Sequence, residues 1–165
     1  MPEPPKKTMP SANDIAQKII KHIQELQDEE KNPASLKYYE ASDLVKHSEE
    51  FGPSLKRERL ETNQVRKFLD ALNRLKVRLA QDEDEEIKRV KSKTEKEKLR
   101  FEKIKSDVYL LKPKLAYAAA RQKSAKPLGD VMSAAIDKVK SSEDFERLVQ
   151  LIESIIAYHK AEGGK

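Results

Sequence analysis

Cysteine is absent from this 165-residue chain, and so is tryptophan. The first absence excludes a disulfide framework, a thiolate nucleophile and a zinc–thiolate centre. Only four glycines are present. None stands in a phosphate-cradling loop, which argues against a nucleotide hydrolase. Aromatic residues are 5% of the chain, so Leu, Ile, Val and Ala must build the core. No apolar run approaches the length of a membrane span, and MPEPPKKTMP at the start lacks the apolar centre of a signal peptide. A cytoplasmic protein with no membrane contact is expected. Strict apolar–polar alternation, the mark of half-buried strands, is missing as well.

Charge is abundant instead. Charged residues make up 38% of the chain and the formal net charge is +5, with a mean hydropathy of -0.83 and a pI near 9.2. Such values lean toward disorder, yet the apolar residues recur with helical spacing, so long solvated helices are the better reading. The moderate positive balance suits a polyanionic partner. The expected fold is all-α: a compact bundle of five or six helices with a charged, solvent-exposed helical segment. Residues 1–10, with four prolines, are expected to be a disordered tail and 11–165 a single domain.

Along the chain, Ser11 or Asn13 can cap a first helix whose stripe is Ile15, Ile19, Ile23 and Leu26, ending near Asn32-Pro33. A second helix is predicted over 41–51, stopped by Gly52-Pro53. The third is the clearest: Thr62 or Asn63 caps it, and Val65, Phe68, Leu69, Leu72, Leu75 and Leu79 mark its stripe. Lys67, Arg74 and Arg78 share its exposed face, with Arg66 beside it. An acidic run at 82–86 suits a helix start. From Ile87 to Leu111 the three-and-four stepping of a possible coiled-coil arm is spoiled by Thr94 and Glu97. A bend is expected at Lys112-Pro113, then a helix to about Ser124, another from Pro127, and a last one capped by Ser141 or Ser142 and ended at Gly163-Gly164.

One stretch stands apart from this balance of charge. Between Asp107 and Asp130 there is no carboxylate, whereas Lys112, Lys114, Arg121, Lys123 and Lys126 all fall there, around the small residues Ala118 to Ala120. On a helix starting at Pro113, Lys114, Tyr117, Ala118 and Arg121 share a face, with the two charges about 10 Å apart along the axis. That face can hold successive phosphates without reading bases. Composition leaves two readings open, phosphate contact or ordinary solubilising charge over bundle packing. Lys56 and Arg57 form a further basic patch with Arg59.

Catalytic constellations are not evident. His22, His47 and His159 are the only histidines, and none follows a glutamate by three residues as in di-iron bundles. Consecutive carboxylates at 82–86 point in different directions on a helix and do not converge on a cation. The expectation is a protein that is not an enzyme and takes no metal or cofactor.

Three segments carry a resemblance: LETNQVRKFLDAL at 60–72, LLKPKLAYAAARQ at 110–122 and FERLVQLIESIIAYHKAEGG at 145–164. Together, in this order and spacing, they resemble the small subunit of type III-A CRISPR effector complexes, the small helical protein of the Csm complex. Ala120 stands where that family often has glycine. The resemblance implies a non-catalytic subunit in antiviral defence, present in several copies beside the backbone and large subunits, lining the duplex of guide RNA and target RNA. By position it implies RNA contact by Arg66, Lys67, Lys112, Lys114 and Arg121. Lys56, Arg57, Lys123 and Lys126 are added on charge alone. The alternative is a self-associating helical adaptor that uses 87–111 as a coiled-coil arm and has no nucleic-acid role.

Overall fold

The computed structural model describes residues 9–80 and 85–162. The tail residues 1–8, part of the acidic run at 82–84 and the terminal glycines lie outside them. The fold is all-α: the described residues contain no strands and seven helices of eleven residues or more, plus a short one of five residues. In chain order they are α1 Ala12–Gln24, α2 Ala41–Arg57, α3 Thr62–Ala80, α4 Glu85–Arg89, α5 Lys93–Tyr109, α6 Leu111–Arg121, α7 Lys126–Ile136 and α8 Ser142–Ala161, with 3-10 turns at Leu36–Tyr38 and Lys123–Ala125. Among the described residues no helix is long and apolar enough to cross a membrane.

Local chemistry sets most of these ends. Ser11 caps α1 in a reciprocal box with Asp14. The helix stops at Gln24, short of Asn32-Pro33, because the Asp28 carboxylate accepts from the backbone N–H groups of Glu30 and Asn32 at 2.9 Å and bends the chain. Leu26 remains buried beyond the helix end. At α3 neither Thr62 nor Asn63 is the cap. The helix already includes Thr62, and Gln64 reaches back to accept from the Glu61 N–H at 3.2 Å. Ser141 caps α8.

The expected stop at Gly52-Pro53 is not observed: α2 runs through it to Arg57. Pro53 deprives one carbonyl of its helical donor, but the faces it joins are needed. Phe51, Gly52, Ser54 and Leu55 are all buried, and α2 packs along α8. A Cβ on Gly52 would lie 2.6 Å from the His159 nitrogen and 2.7 Å from the Ile155 oxygen, so only glycine admits this approach of two backbones. The helix ends instead where Arg59 takes a positive φ of 69°. The Leu60 N–H then returns to the Leu55 carbonyl and the Arg59 N–H to that of Lys56, both at 3.0 Å, a Schellman closure built on arginine instead of glycine.

Residues 87–111 do not form one continuous helix. The chain breaks at 90–92, where Ser92 caps α5, and only the second half of α5 buries a stripe, Phe101, Ile104 and Val108. The following bend lies at Leu110, not at Lys112-Pro113. Leu110 ends α5 and opens α6, and Pro113 sits in the first turn of α6, where its missing N–H costs nothing.

All seven long helices feed one continuous apolar cluster. α2 and α3 lie on α8, α1 and α6 on α7, and α5 on α3. Each buried Leu or Ile of α8 contributes about 1.5–3 kcal/mol. Most buried polar groups have structural partners, the Thr62 hydroxyl and His159 Nδ1 being the exceptions among the described residues. The two Asp144 oxygens accept the N–H groups of Lys37 at 2.7 Å and Lys140 at 2.8 Å, clamping two connections onto the start of α8. His159 Nε2 donates to the Leu60 carbonyl at 2.6 Å and fastens the α2–α3 turn. These clamps leave α6 held by one side only, through Leu111 and Leu115.

Candidate nucleic-acid interface

Because α6 is anchored on a single face, the positions opposite Leu115 turn outward. Lys114, Tyr117 and Arg121 are exposed there, Tyr117 to 65%. Helical periodicity puts Lys114 and Arg121 on the same edge with the ring between them. Arg121 rests against that ring, its guanidinium carbon 5.7 Å from the centroid, and donates to the Tyr117 hydroxyl at 3.4 Å.

A cleft of about 420 Å³ opens between this edge and α3. It is lined by Gln64, Lys67 and Phe68 from α3 and by Tyr117, Ala118, Arg121 and Gln122 from the end of α6. Ala118 leaves room in the wall, and a hydrogen bond from Gln64 Nε2 to Gln122 Oε1 ties the two sides. Lys67 and Arg121, from two separate sequence segments, thus face one space. No ion pair or hydrogen bond among the described residues engages the side chains of Lys67, Lys114 or Lys123.

The other cations of the acid-free stretch behave differently. Lys112 projects to the opposite side of α6 and pairs with Asp137, just past α7, at 2.5 Å. Lys126 pairs with Asp130 one turn on, at 2.6 Å. Their carboxylates lie outside the stretch in sequence and are returned to it by folding. Arg78 is likewise paired, with Asp107. Arg66 is exposed but lies about 100° round α3 from Lys67, so it does not share the cleft. Lys56 and Arg57 are in the last turn of α2 and do not line it either.

The family model described as Csm2 Type III-A matches residues 38–165. The chain belongs to the Csm2 family. It is therefore the small subunit of a type III-A Csm complex, a structural family and not a catalytic one. No curated protein matches, and no solved structure does. Lys56, Arg57, Arg66, Lys67 and the cations of 112–126 all fall within the residues matched to Csm2, whereas α1 precedes them.

Two features were not anticipated from the sequence. Tyr39 is fully buried, and its hydroxyl meets His47 Nδ1 at 2.5 Å. His22 completes a ring cluster, 5.0 Å from Tyr39 and 4.9 Å from His47 between centroids. Burial, then the neighbouring His22 and Lys18, hold the His47 pKa below its ordinary value, opposed by Asp43 and Glu50. Burial and Asp43 raise that of Tyr39. This cluster belongs to the seam of α1 and α2, and none of its rings lines the cleft. The other missed feature is the Gln64–Gln122 bridge. Single polar residues spaced 58 apart give no sequence signal of contact.

Proposed function

We propose that this Csm2 chain binds the duplex of guide RNA and target RNA within its complex, through sequence-independent contacts to the phosphate backbone, and performs no catalysis. The observation that supports this is the convergence of unpaired cations: Lys67 and Arg121 on one cleft, and Lys114 on the same edge of α6. Guides differ in sequence, so a lining subunit must hold phosphate and sugar, for which Lys and Arg on rigid helices suffice. Lys123, Arg66, Lys56 and Arg57 are secondary contacts in this reading. Lys112 and Lys126 contribute less, because each would have to leave a carboxylate. The partners are both RNA strands, the backbone and large subunits, and further copies of the chain.

Filter binding or fluorescence anisotropy of the purified full chain on unrelated RNA duplexes tests the proposal. Similar affinities for all sequences and a steep loss with salt are expected. Lys114→Glu with Arg121→Glu should weaken binding about 10- to 100-fold. Unchanged binding and complex assembly in that double variant would exclude the α6 edge as the contact surface.

A further inference from the structure

The cleft has more than a phosphate site requires. Backbone contact needs cations alone, yet a tyrosine ring stands 65% exposed at the mouth, a half-buried phenylalanine, Phe68, lines the cleft, and an amide bridge ties its two sides. An exposed aromatic ring loses apolar burial it could have had elsewhere in the bundle. Arg121 lies against this ring, so a planar ligand would find aromatic and guanidinium surfaces together. The Gln64–Gln122 hydrogen bond uses Gln64 Nε2 and Gln122 Oε1, and Gln64 Oε1 is engaged by the Glu61 N–H. That leaves the Gln122 amide donors to meet an acceptor on a ligand. At about 420 Å³ the space is at the lower end of small-ligand pockets, and a continuous helix of stacked bases cannot enter it.

We infer that the cleft between α3 and α6 holds a single unpaired nucleobase of the bound RNA, stacked on Tyr117. The Gln122 amide faces its edge, and Arg121 serves both the ring and the adjoining phosphate. Stacking on a lone aromatic is tolerant of base identity, and unpaired bases in RNA are free to be splayed onto such rings. The inference rests on the RNA-binding reading above and adds a contact that a regular duplex does not make.

The test uses the full chain and two RNA duplexes of equal length, one continuous and one carrying a single bulged 2-aminopurine. The wild type should bind the bulged duplex about five- to tenfold more tightly, with quenching of the 2-aminopurine fluorescence. Tyr117→Leu should abolish both the preference and the quenching, and Tyr117→Phe should keep them. Equal binding of the two duplexes without quenching overturns the base site and leaves the phosphate reading standing. So does a preference that survives in Tyr117→Leu. No binding of either duplex overturns the wider reading and the base site with it, and is the outcome expected if Tyr117 docks on protein instead.

Discussion

Two helix seams in this Csm2 chain are built in opposite ways. Where α2 crosses α8 the backbones approach so closely that a Cβ on Gly52 would sit 2.6 Å from a main-chain nitrogen. Where α6 passes α3 the helices stand apart, leaving a cleft of about 420 Å³ bridged by one pair of glutamine amides. Small residues serve both, glycine to close the first seam and Ala118 to open the second. The closed seam can tolerate almost no change, whereas the open one can change its side chains with little cost in stability. Stability and binding should therefore separate cleanly by seam.

The largest effect expected is at the closed seam. Gly52→Ala should destabilise the chain by about 3 kcal/mol, since the clash is with backbone and cannot be relieved by a rotamer change. Urea unfolding measures it, and a drop under about 0.5 kcal/mol would mean that the seam is looser than described. Gly129 offers the contrast. Its added Cβ would meet the Leu115 oxygen at 3.7 Å, an ordinary contact. Gly129→Ala should therefore stabilise α7, by about 0.5–1 kcal/mol.

Next in size is the end of α2. Arg59 adopts a left-handed conformation that glycine accepts without strain, so Arg59→Gly should raise stability by about 1 kcal/mol in the same unfolding assay. A decrease would show that the Arg59 side chain makes a stronger contribution than its backbone costs.

The seam of α1 and α2 adds a pH dependence. The folded chain holds His47 below its ordinary pKa, chiefly by burial, so the unfolded chain binds the proton more readily. The stability this contributes is complete above about pH 6.5 and is lost as pH falls from there through the folded value. Melting temperature should thus drop more steeply between about pH 7 and 5 in the wild type than in His47→Gln. Parallel curves would show that His47 does not control this decline.

Smallest is the change at the paired cations. Lys112→Ala removes a partly exposed ion pair with Asp137 and should cost less than about 1 kcal/mol, with RNA affinity nearly unchanged.

How much of this is legible in the sequence follows from the range over which each cause acts. The all-α class, the cap of Ser11 and the stripes of α3 and α8 depend on neighbours three or four residues away, and they can be read directly. Gly52-Pro53 reads as a stop because its local signal is real; it is overridden by α8, more than eighty residues on. The true end at Arg59 carries no glycine and so no local signal. At the candidate site, the shared edge of Lys114 and Arg121 follows from periodicity alone. The Lys126–Asp130 pair follows likewise from i,i+4 spacing, whereas that of Lys112 with Asp137 does not, since only the packing of α6 on α7 brings those two together. The cleft itself needs the fold, as its two walls belong to helices well separated in the chain.

Folding divides the five cations of this stretch into two that are spoken for, Lys112 and Lys126, and three that are free for RNA, Lys114, Arg121 and Lys123. Salt dependence of duplex binding tests this division most directly, comparing Lys114→Ala with Arg121→Ala against Lys112→Ala with Lys126→Ala, two variants of identical net charge. The account predicts that the first flattens the slope of log affinity against log salt by about 1.5, roughly 0.7–0.9 for each phosphate no longer neutralised, and that the second leaves the slope as in the wild type. Equal flattening by both, or a larger change in the second, would contradict it.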